Sequence, residues 1–401
     1  MTETTPTATK APRYRPVNFG VTRVNLREGA NGTRYLQADL PLGAYARRVT
    51  DFLVHWAETT PDHSFVARRA PLAGGGTGDW QHVSYGQALE AARSIGQALL
   101  NRGLSAERPV LILSENSLEH ALMALGCLYA GVPYCPVTPA YATASQDYDK
   151  LRHVVSTLTP GLVYATDGAR FGKALQATLD DSVEVVLNQG NIDGRTTTPF
   201  ADLRATAATD KIDAAMHATG PGTIVKFLFT SGSTKLPKPV INTQRMWCAN
   251  LQQISLSLPV LAEAPPVLID WLPWNHTFGS NHNFGITLQH GGTLYIDDGK
   301  PTSGAIGETL RNLREIAPTR FLGVPRIWEK MHAAINIKLQ ETGGLRRALF
   351  RKAYAACQPL AEKPRAQWSI GDMFTYTASY WLVFRALQNF IALREAQVAL
   401  T

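Results

Sequence analysis

Short apolar runs alternate with segments of helical spacing through the middle of the chain. The runs predict strands at 110–113, 134–137, 162–165, 183–187, 226–230, 267–272 and 293–296. Segments 117–130 and 145–158 have apolar residues at helical spacing, and Gly131 provides a stop signal after the first. Strands that alternate with helices of this length favour an α/β fold with layered, largely parallel sheets.

The pattern changes to long helices in the last quarter of the chain. An apolar stretch at 374–393 raises the question of a membrane span, but Arg385 interrupts it. An arginine at the centre of a span costs about 2.5–3.5 kcal/mol on the insertion scale, so a buried or interfacial helix is predicted instead. The other elements predicted here are helices at 326–340 and 345–357, a polar link at 362–368 and the start of a strand at 397–401.

Composition limits the kinds of partner that this chain can bind. With 401 residues, of which 45% are hydrophobic, it can bury a large core and exceeds one compact unit. The 39 basic and 32 acidic residues give a net charge of +7, a mild excess that suits anionic small molecules. No long basic run indicates nucleic acid.

The cysteines and the amino terminus indicate the compartment. Four cysteines form no C-x-x-C pair, which argues against a zinc ribbon or a disulfide framework and favours reduced thiols in a cytoplasmic protein. Residues 1–16 are polar and rich in Thr and Pro, without the apolar centre of a signal peptide. They are predicted to be a disordered lead.

The segment FLFTSGSTKLPKPV, residues 227–240, joins a strand-like run to small hydroxyl residues and lysines. Glycine lets a backbone approach an anion closely, hydroxyls donate hydrogen bonds and lysine supplies positive charge. The P-loop pattern G-x-x-x-x-G-K-[ST] fits nowhere in it. The segment favours a polyphosphate site, although Ser/Thr/Gly loops between strands and helices are common. The candidate phosphate ligands are Thr230, Ser231, Gly232, Ser233, Thr234, Lys235 and Lys238.

A second candidate site lies at 274–279, directly after a predicted strand, and contains His276. Such a histidine is either an ordinary strand-end residue or a group that contacts a ligand. His276, His282 and His290 match neither H-E-x-x-H nor the spacing of a zinc knuckle, so a metal site built from them is not indicated.

The run TSGSTKLPK resembles the phosphate-binding signature of the adenylate-forming (AMP-binding) enzymes, which include acyl- and aryl-CoA synthetases. Further family motifs are resembled by Val83-Ser84-Tyr85, by LYAGVPYCPVTPAY and by LPWNHTFGSNHNFG, residues 272–285. NTQRMW after the loop and the run at 18–43 are most similar to feruloyl-CoA synthase-like members. The resemblance covers about residues 18–325, whereas the later helical stretch is more similar to long-chain acyl-CoA ligases.

This sequence departs from the family pattern inside the signature and after it. Lys235 replaces the usual glycine, which is tolerable where φ is negative, and Pro239 replaces a small residue and removes one backbone donor. After Pro325 the chain lacks the Y-G-x-T-E, T-G-D and P-x-x-x-x-G-K runs with which family members hold adenine, ribose and magnesium and build a mobile lid.

The resemblance therefore implies an AMP-binding N-terminal domain at 17–325 that follows the lead. Residues 326–401 are expected to be a helical stretch of the same domain that ends before the adenine-binding motifs, without the small C-terminal lid domain. A natural truncation, a chimera and a partial reading frame remain open as origins.

The chemistry that the resemblance implies has two steps. A carboxylate attacks the α-phosphorus of ATP and pyrophosphate leaves; the thiol of CoA then takes the acyl group from the adenylate. Lys238, Thr234 and His276 are the expected catalytic residues, and Thr234 is the expected contact to Mg²⁺. The expected acid-binding residues are Trp274, Asn275, His276, Thr277, Phe278 and Gly279.

The identity of the acid rests on less specific features. The N-terminal run favours a hydroxycinnamate such as ferulate, and Trp247, Trp271, Trp274 and Phe278 could line a flat pocket, although core packing explains tryptophans equally well. A medium- or long-chain fatty acid is the alternative. A non-catalytic fragment that binds nucleotide weakly is an alternative of another class. The expected partners are the acid, ATP and CoA, with peripheral membrane contact as a further option.

Overall fold

The structure is a computed structural model that describes residues 20, 23–72, 74–144, 147–230, 236–299, 306–323, 325–391 and 393–400. The lead predicted at 1–16 lies outside these residues. The described residues divide into two compact units, 20–299 and 306–400.

The first unit alternates strands and helices along most of its length. Its strands are β1 (Val24–Glu28), β2 (Arg34–Ala38), β3 (Ser64–Pro71), β4 (Thr77–Ser84), β5 (Val110–Leu113), β6 (Tyr134–Val137), β7 (Leu162–Asp167), β8 (Glu184–Gln189), β9 (Thr198–Pro199), β10 (Ile224–Phe229), β11 (Pro239–Thr243), β12 (Val267–Asp270) and β13 (Thr293–Ile296). Its α-helices are α1 (Thr50–Thr59), α2 (Tyr85–Asn101), α3 (Leu118–Ala130), α4 (Ala140–Thr143), α5 (Asp149–Leu158), α6 (Gly168–Thr178), α7 (Phe200–Arg204), α8 (Asp210–Ala218), α9 (Gln244–Ser257) and α10 (Phe284–His290).

Two sheets organise the first unit. The larger has the order β11-β10-β6-β5-β7-β8-β9, and its neighbouring strands are parallel except at the β11 edge. The smaller has the order β12-β13-β3-β4 and is parallel except for the β3–β4 pair. The predicted α/β fold with largely parallel sheets is confirmed.

Two cores cover the faces of the large sheet. In β5, Val110 and Ile112 belong to the larger core, whereas Leu111 and Leu113 belong to the smaller one. Successive side chains of a strand point to opposite faces, so both faces of this strand are packed. This explains why β5 is an unbroken apolar run in the sequence rather than an alternating one.

The start of α2 links the large core to the small sheet. Ser84 caps the helix, and its side chain and that of Gln87 form a reciprocal capping box. The buried hydroxyl of Tyr85 lies 3.0 Å from the carbonyl oxygen of Thr287 and 2.9 Å from that of Gly292. The sequence motif Val83-Ser84-Tyr85 is therefore structural: it begins a core helix and fixes it to the small sheet.

The second unit consists mainly of helices. Its elements are α11 (Ile306–Ile316), β14 (Arg320–Leu322), α12 (Pro325–Glu341), α13 (Gly344–Ala361), α14 (Ile370–Ser379), a π-helical turn (Tyr380–Phe384), α15 (Arg385–Ile391) and β15 (Val398–Leu400). Strands β14 and β15 pair in parallel, which confirms the strand start predicted near the end of the sequence. Among the described residues, neither core cluster extends beyond Ile296.

The apolar stretch at 374–393 is helical over most of its length, and of the two predicted environments, buried or interfacial, its exposure excludes the buried one. Phe374 is 77% exposed and Trp381 is 61% exposed. Within the described part of the chain, helices that are both long and apolar enough to cross a membrane do not occur.

Two predicted element boundaries are wrong. The strand predicted at 267–272 ends at Asp270, because the Asp270 side chain accepts a hydrogen bond of 3.0 Å from the Leu272 amide and turns the chain. The helix predicted at 145–158 begins at Asp149 instead. Residues 145–146, where it was predicted to start, lie outside the described residues.

Substitution of Gly126 by alanine should lower the stability of the first unit. A Cβ at this position would lie 2.4 Å from Cγ2 of Ile95, where α3 packs against α2. Overpacking of this kind costs about 1–3 kcal/mol, measurable by urea unfolding followed by circular dichroism. Gly307→Ala is the matched control, because a Cβ there meets nothing within 4 Å. Equal stabilities of the two variants would contradict the predicted tight contact.

Candidate functional site

A cavity of about 390 Å³ lies where strands of both sheets reach their carboxyl ends. Ser114, Glu115 and Asn116 follow β5, and Thr138 follows β6. The other lining residues are Pro139, Ala140, Thr143, Arg170, Trp271, Pro273, Asn275, Ile296, Asp297 and Asp298. Ligands of α/β proteins bind at this edge of a sheet, so the cavity has the expected location for a site.

Ion pairs hold two of the acidic side chains of this cavity. The guanidinium of Arg68 donates to both carboxylate oxygens of Asp298, with two contacts of 2.9 Å. Arg170 on α6 donates to Glu115 at 2.9 Å. Arg68 lies on β3, so its ion pair holds the loop after β13 in place. Arg170 lies on α6, so its ion pair does the same for the loop after β5.

Asn116 fixes the segment that follows β12. Its amide nitrogen donates to the Leu272 carbonyl at 2.9 Å, and its amide oxygen accepts from the Trp274 N–H at 3.1 Å. The loop after β5 in the large sheet is thereby joined to the loop after β12 in the small sheet. The sequence prediction missed Asn116, although a polar residue just after a buried strand is a usable signal.

The buried side chain of Asp270 also fixes the segment that follows β12. Its side chain is 1% exposed and accepts hydrogen bonds from the Trp274 indole at 2.9 Å, the Asn283 amide at 2.8 Å and the Leu272 N–H at 3.0 Å. Burial raises the pKa of this carboxyl to about 6, and the three donors oppose the rise.

Trp274 and Trp247 are core residues, which corrects the expectation of a flat aromatic pocket. Trp274 is 3% exposed and Trp247 is 1% exposed, and both belong to the large core. Trp271 does line the cavity. Phe278 is 37% exposed and stacks on His282, with ring centroids 4.7 Å apart.

His276 is exposed at the start of a π-helical turn, Phe278–Asn283. Its Nδ1 accepts a 3.3 Å hydrogen bond from the Phe278 N–H, which leaves Nε2 as the protonated nitrogen of the neutral ring. A Cβ at Gly279 would lie 2.6 Å from the carbonyl oxygens of Leu272 and Pro273, so only glycine fits there without a shift. Of the other predicted acid-binding residues, Asn275 lines the cavity and Thr277 is exposed.

The predicted phosphate-binding segment lies in sequence between β10 and β11, which pair with each other in antiparallel fashion. Ser231, Gly232, Ser233, Thr234 and Lys235 lie outside the described residues. The residues that flank them are joined, because the Thr230 N–H donates to the Lys238 carbonyl at 2.9 Å and the Lys238 N–H donates to the Thr230 hydroxyl at 3.1 Å. Pro239 begins the edge strand β11, a position at which proline is tolerated.

The two candidate sites are joined by side-chain hydrogen bonds. The buried ammonium of Lys226 on β10 donates to the Ser280 hydroxyl at 3.3 Å. The Asn281 amide donates to the side-chain oxygen of Asn242 on β11 at 3.1 Å. The turn that follows His276 therefore contacts both strands of the hairpin that carries the phosphate-binding segment.

Lys226 was not predicted as a functional or structural residue. It is 0% exposed, and its ammonium lies 3.5 Å from the centre of the Trp247 ring. Burial holds its pKa well below the usual value for lysine. A lysine within an apolar strand is normally assigned to solvent, so the sequence alone gave no signal of this environment.

A profile described as AMP-binding enzyme matches residues 53–373. Long-chain-fatty-acid–CoA ligase ACSBG1 of Homo sapiens is 25% identical over 279 residues, which are 67% of this chain and 37% of that protein. ACSBG2 of Xenopus laevis, described in the same words, is 25% identical over 63% of this chain and 34% of its own length. The chain thus spans little more than a third of the length of these relatives.

Solved structures show the same fold. The adenylation domain of a keto acid-selecting NRPS module superposes with a TM-score of 0.60 at 20% identity, over 76% of this chain and 50% of that one. A fatty acid AMP ligase from Legionella pneumophila superposes with a TM-score of 0.54 at 19% identity, over 69% of this chain and 44% of that one.

Replacement of Lys226 by methionine should change the pH dependence of stability. The depressed pKa of Lys226 means that the folded state binds fewer protons than the unfolded state below the reference pKa of 10.5. The free energy of unfolding of wild type therefore rises with pH in this range, by up to about 1.4 kcal/mol per pH unit, because the lysine loses its charge on folding. The free energy of unfolding of Lys226→Met, relative to wild type, should fall between pH 7 and 10, as measured by urea titration.

The control is Lys173→Met on α6, which removes an exposed lysine. Its stability should follow wild type at every pH. Parallel pH profiles for wild type and Lys226→Met would show that the buried ammonium does not carry a depressed pKa.

Proposed function

Because the chain belongs to the AMP-binding enzyme family, we propose that it supplies the nucleotide- and acid-binding part of an AMP-forming acid–CoA ligase. In the first step a carboxylate oxygen bonds to the α-phosphorus of ATP and the bond to pyrophosphate breaks. In the second step the thiolate sulfur of CoA bonds to the acyl carbon, and AMP leaves. The observation that carries the proposal is the contact of the His276 turn with both strands of the phosphate-segment hairpin.

The hairpin end is proposed to bind the triphosphate. Transfer of the adenylyl group to a carboxylate needs positioning and neutralisation of charge more than covalent help. The mutual hydrogen bonds of Thr230 and Lys238 close the segment at its base, and the Lys238 side chain is exposed there. The residues proposed to contact phosphate are Thr230, Ser231, Gly232, Ser233, Thr234, Lys235 and Lys238.

Magnesium is proposed to enter with ATP. Mg²⁺ needs few protein ligands, and its charge would stabilise the leaving pyrophosphate. The described residues contain no cluster of three His, Cys, Asp or Glu side chains that could hold a metal ion by themselves. The hydroxyl of Thr234 is the proposed protein contact.

His276 is proposed to orient the carboxylate of the acid. Its Nδ1 is engaged by the Phe278 N–H, so Nε2 can donate a hydrogen bond to a carboxylate oxygen. Asn275, Thr277 and Gly279 are proposed to complete the acid-binding surface. Trp274 is buried and donates a hydrogen bond to Asp270, so it holds this segment to the core.

A medium- or long-chain fatty acid is the better supported substrate. The two relatives compared by sequence are described as long-chain-fatty-acid–CoA ligases. The burial of Trp247 and Trp274 also removes two of the four side chains expected to form an aromatic pocket. Ferulate or a related hydroxycinnamate is the second candidate, favoured by the sequence at 18–43 and by NTQRMW after the phosphate segment.

Carboxylate-dependent exchange between ATP and pyrophosphate tests both the activity and the acid. Palmitate, octanoate, ferulate and 4-coumarate should be compared on the folded 401-residue chain. Exchange with the aliphatic acids would support the principal proposal, and exchange only with the aromatic acids would replace it by the second. A folded chain that exchanges with none of them and shows no heat of ATP binding would instead act as a non-catalytic fragment.

Lys238→Ala should raise the apparent KM for ATP by about tenfold or more with any accepted acid, since a charge-assisted hydrogen bond contributes roughly 1.5–3 kcal/mol. The measurement is initial exchange rate against ATP concentration, or calorimetric ATP affinity. Lys173→Ala removes another exposed lysine and should leave ATP affinity unchanged. An unaltered ATP affinity in Lys238→Ala would contradict the phosphate-binding role.

A further inference from the structure

The positive charge of this chain is concentrated in its last quarter. Residues 306–401 contain 14 Lys or Arg and 7 Asp or Glu, a net charge of +7. Of the chain's 39 basic and 32 acidic residues, 25 of each remain for residues 1–305, which are therefore neutral overall. The net charge of +7 of the whole chain is therefore equal to that of the helical unit alone.

The same unit carries a stripe of exposed apolar side chains. Positions 370, 373, 374 and 381 follow one another at spacings of three, one and seven residues, which places them along one face of the helix that continues from α14 through the π-helical turn. We call the exposed residues of this helix the apolar stripe: Ile370 (88% exposed), Met373 (57%), Phe374 (77%), Trp381 (61%) and Leu382 (64%).

Cationic side chains adjoin the apolar stripe. The guanidinium of Arg385 lies 4.6 Å from the centre of the Trp381 ring. Leu382 shares a groove of about 490 Å³ with Lys338 and Arg346, which come from α12 and α13. Arg351 and Lys352 are exposed further along α13. Arg385, Lys338 and Arg346 therefore lie beside residues of the apolar stripe, and Arg351 and Lys352 add positive charge to the same unit.

We propose that the apolar stripe and its adjoining cations bind the surface of a membrane that contains anionic lipids. Stable attachment without a spanning helix requires two contributions, insertion of apolar side chains at the level of the headgroups and attraction of basic residues to anionic lipids. Tryptophan and arginine are suited to the headgroup level because each combines an apolar part with a polar end. Residues 1–305 have no net charge, whereas the second unit is basic and exposes apolar side chains, so binding to an anionic surface is directed to the helical unit. The inference does not depend on the proposed enzymatic activity.

Flotation with vesicles tests the proposal on the full chain. Binding should be at least tenfold stronger to phosphatidylcholine vesicles with about 30% phosphatidylglycerol than to phosphatidylcholine alone. It should be lost in about 1 M salt, where the Debye length is about 3 Å. Equal binding to the two vesicle types would overturn the proposal.

Variants assign the binding to the stripe. The double substitution Phe374→Glu and Trp381→Glu should reduce vesicle binding at least tenfold. Leu26→Glu with Leu36→Glu is the matched control, because these side chains are 57% and 72% exposed on the β1–β2 hairpin. Equal loss in both pairs would overturn the assignment to the stripe.

A charge pair separates electrostatic attraction from insertion. Arg346→Glu with Arg351→Glu should weaken binding to the anionic vesicles, whereas Arg23→Glu with Arg34→Glu, 79% and 71% exposed in the first unit, should not. Equal weakening by the two pairs would overturn the role of the helical cations.

Two further measurements keep the test independent of variant folding. The anionic vesicles should shift tryptophan fluorescence to shorter wavelength, and the conservative variant Trp381→Phe should abolish that shift while retaining binding. Sedimentation velocity without vesicles reports self-association. An oligomer that the Phe374 and Trp381 substitutions convert to monomer, in a chain that floats with neither vesicle type, would make a second copy the occupant and overturn the proposal.

Discussion

The geometry of the candidate site depends on one buried carboxylate. Asp270 ends β12 and accepts hydrogen bonds from Trp274, Asn283 and the Leu272 amide. An ionised carboxylate in an apolar core is strongly destabilising unless donors surround it. The three donors lie on the segment that contains His276 and at the start of the helix that follows it. This segment must therefore adopt its observed conformation for the carboxylate to have all of its hydrogen bonds.

Asn116 and Lys226 extend this constraint to the large sheet. Asn116 holds the segment after β12 from the end of β5, and Lys226 holds Ser280 from within β10. Each contact joins residues more than fifty positions apart in the chain. The proposed acid-binding and phosphate-binding segments are thus positioned by buried polar contacts, not by their own local conformation, and buried polar networks are well suited to hold a single arrangement.

The sequence predicted the elements whose signal is local. The strand Val110–Leu113 and the helix Leu118–Ala130, with Gly131 in the left-handed conformation at its end, follow from unbroken apolar runs and stop residues. Asn116 and Lys226 were missed because their partners are distant in sequence. Asp270 was missed although its partners are nearby, because an acidic residue at the end of an apolar run gives no sign that it is buried. For the stretch at 374–393 the sequence predicted a helix that is either buried or interfacial, because apolar residues alone do not show whether another layer covers them.

The order of strands in the small sheet has a consequence for synthesis of the protein. Strands β3 and β4 are complete by residue 84, but their parallel neighbour β13 ends at residue 296. At ribosomal rates of about 5–20 residues per second, the nascent β3–β4 hairpin waits roughly 10–40 s for that neighbour. The pairing edge of β3 is exposed during this interval, so the emerging chain is a natural client for chaperones that shield unpaired strands.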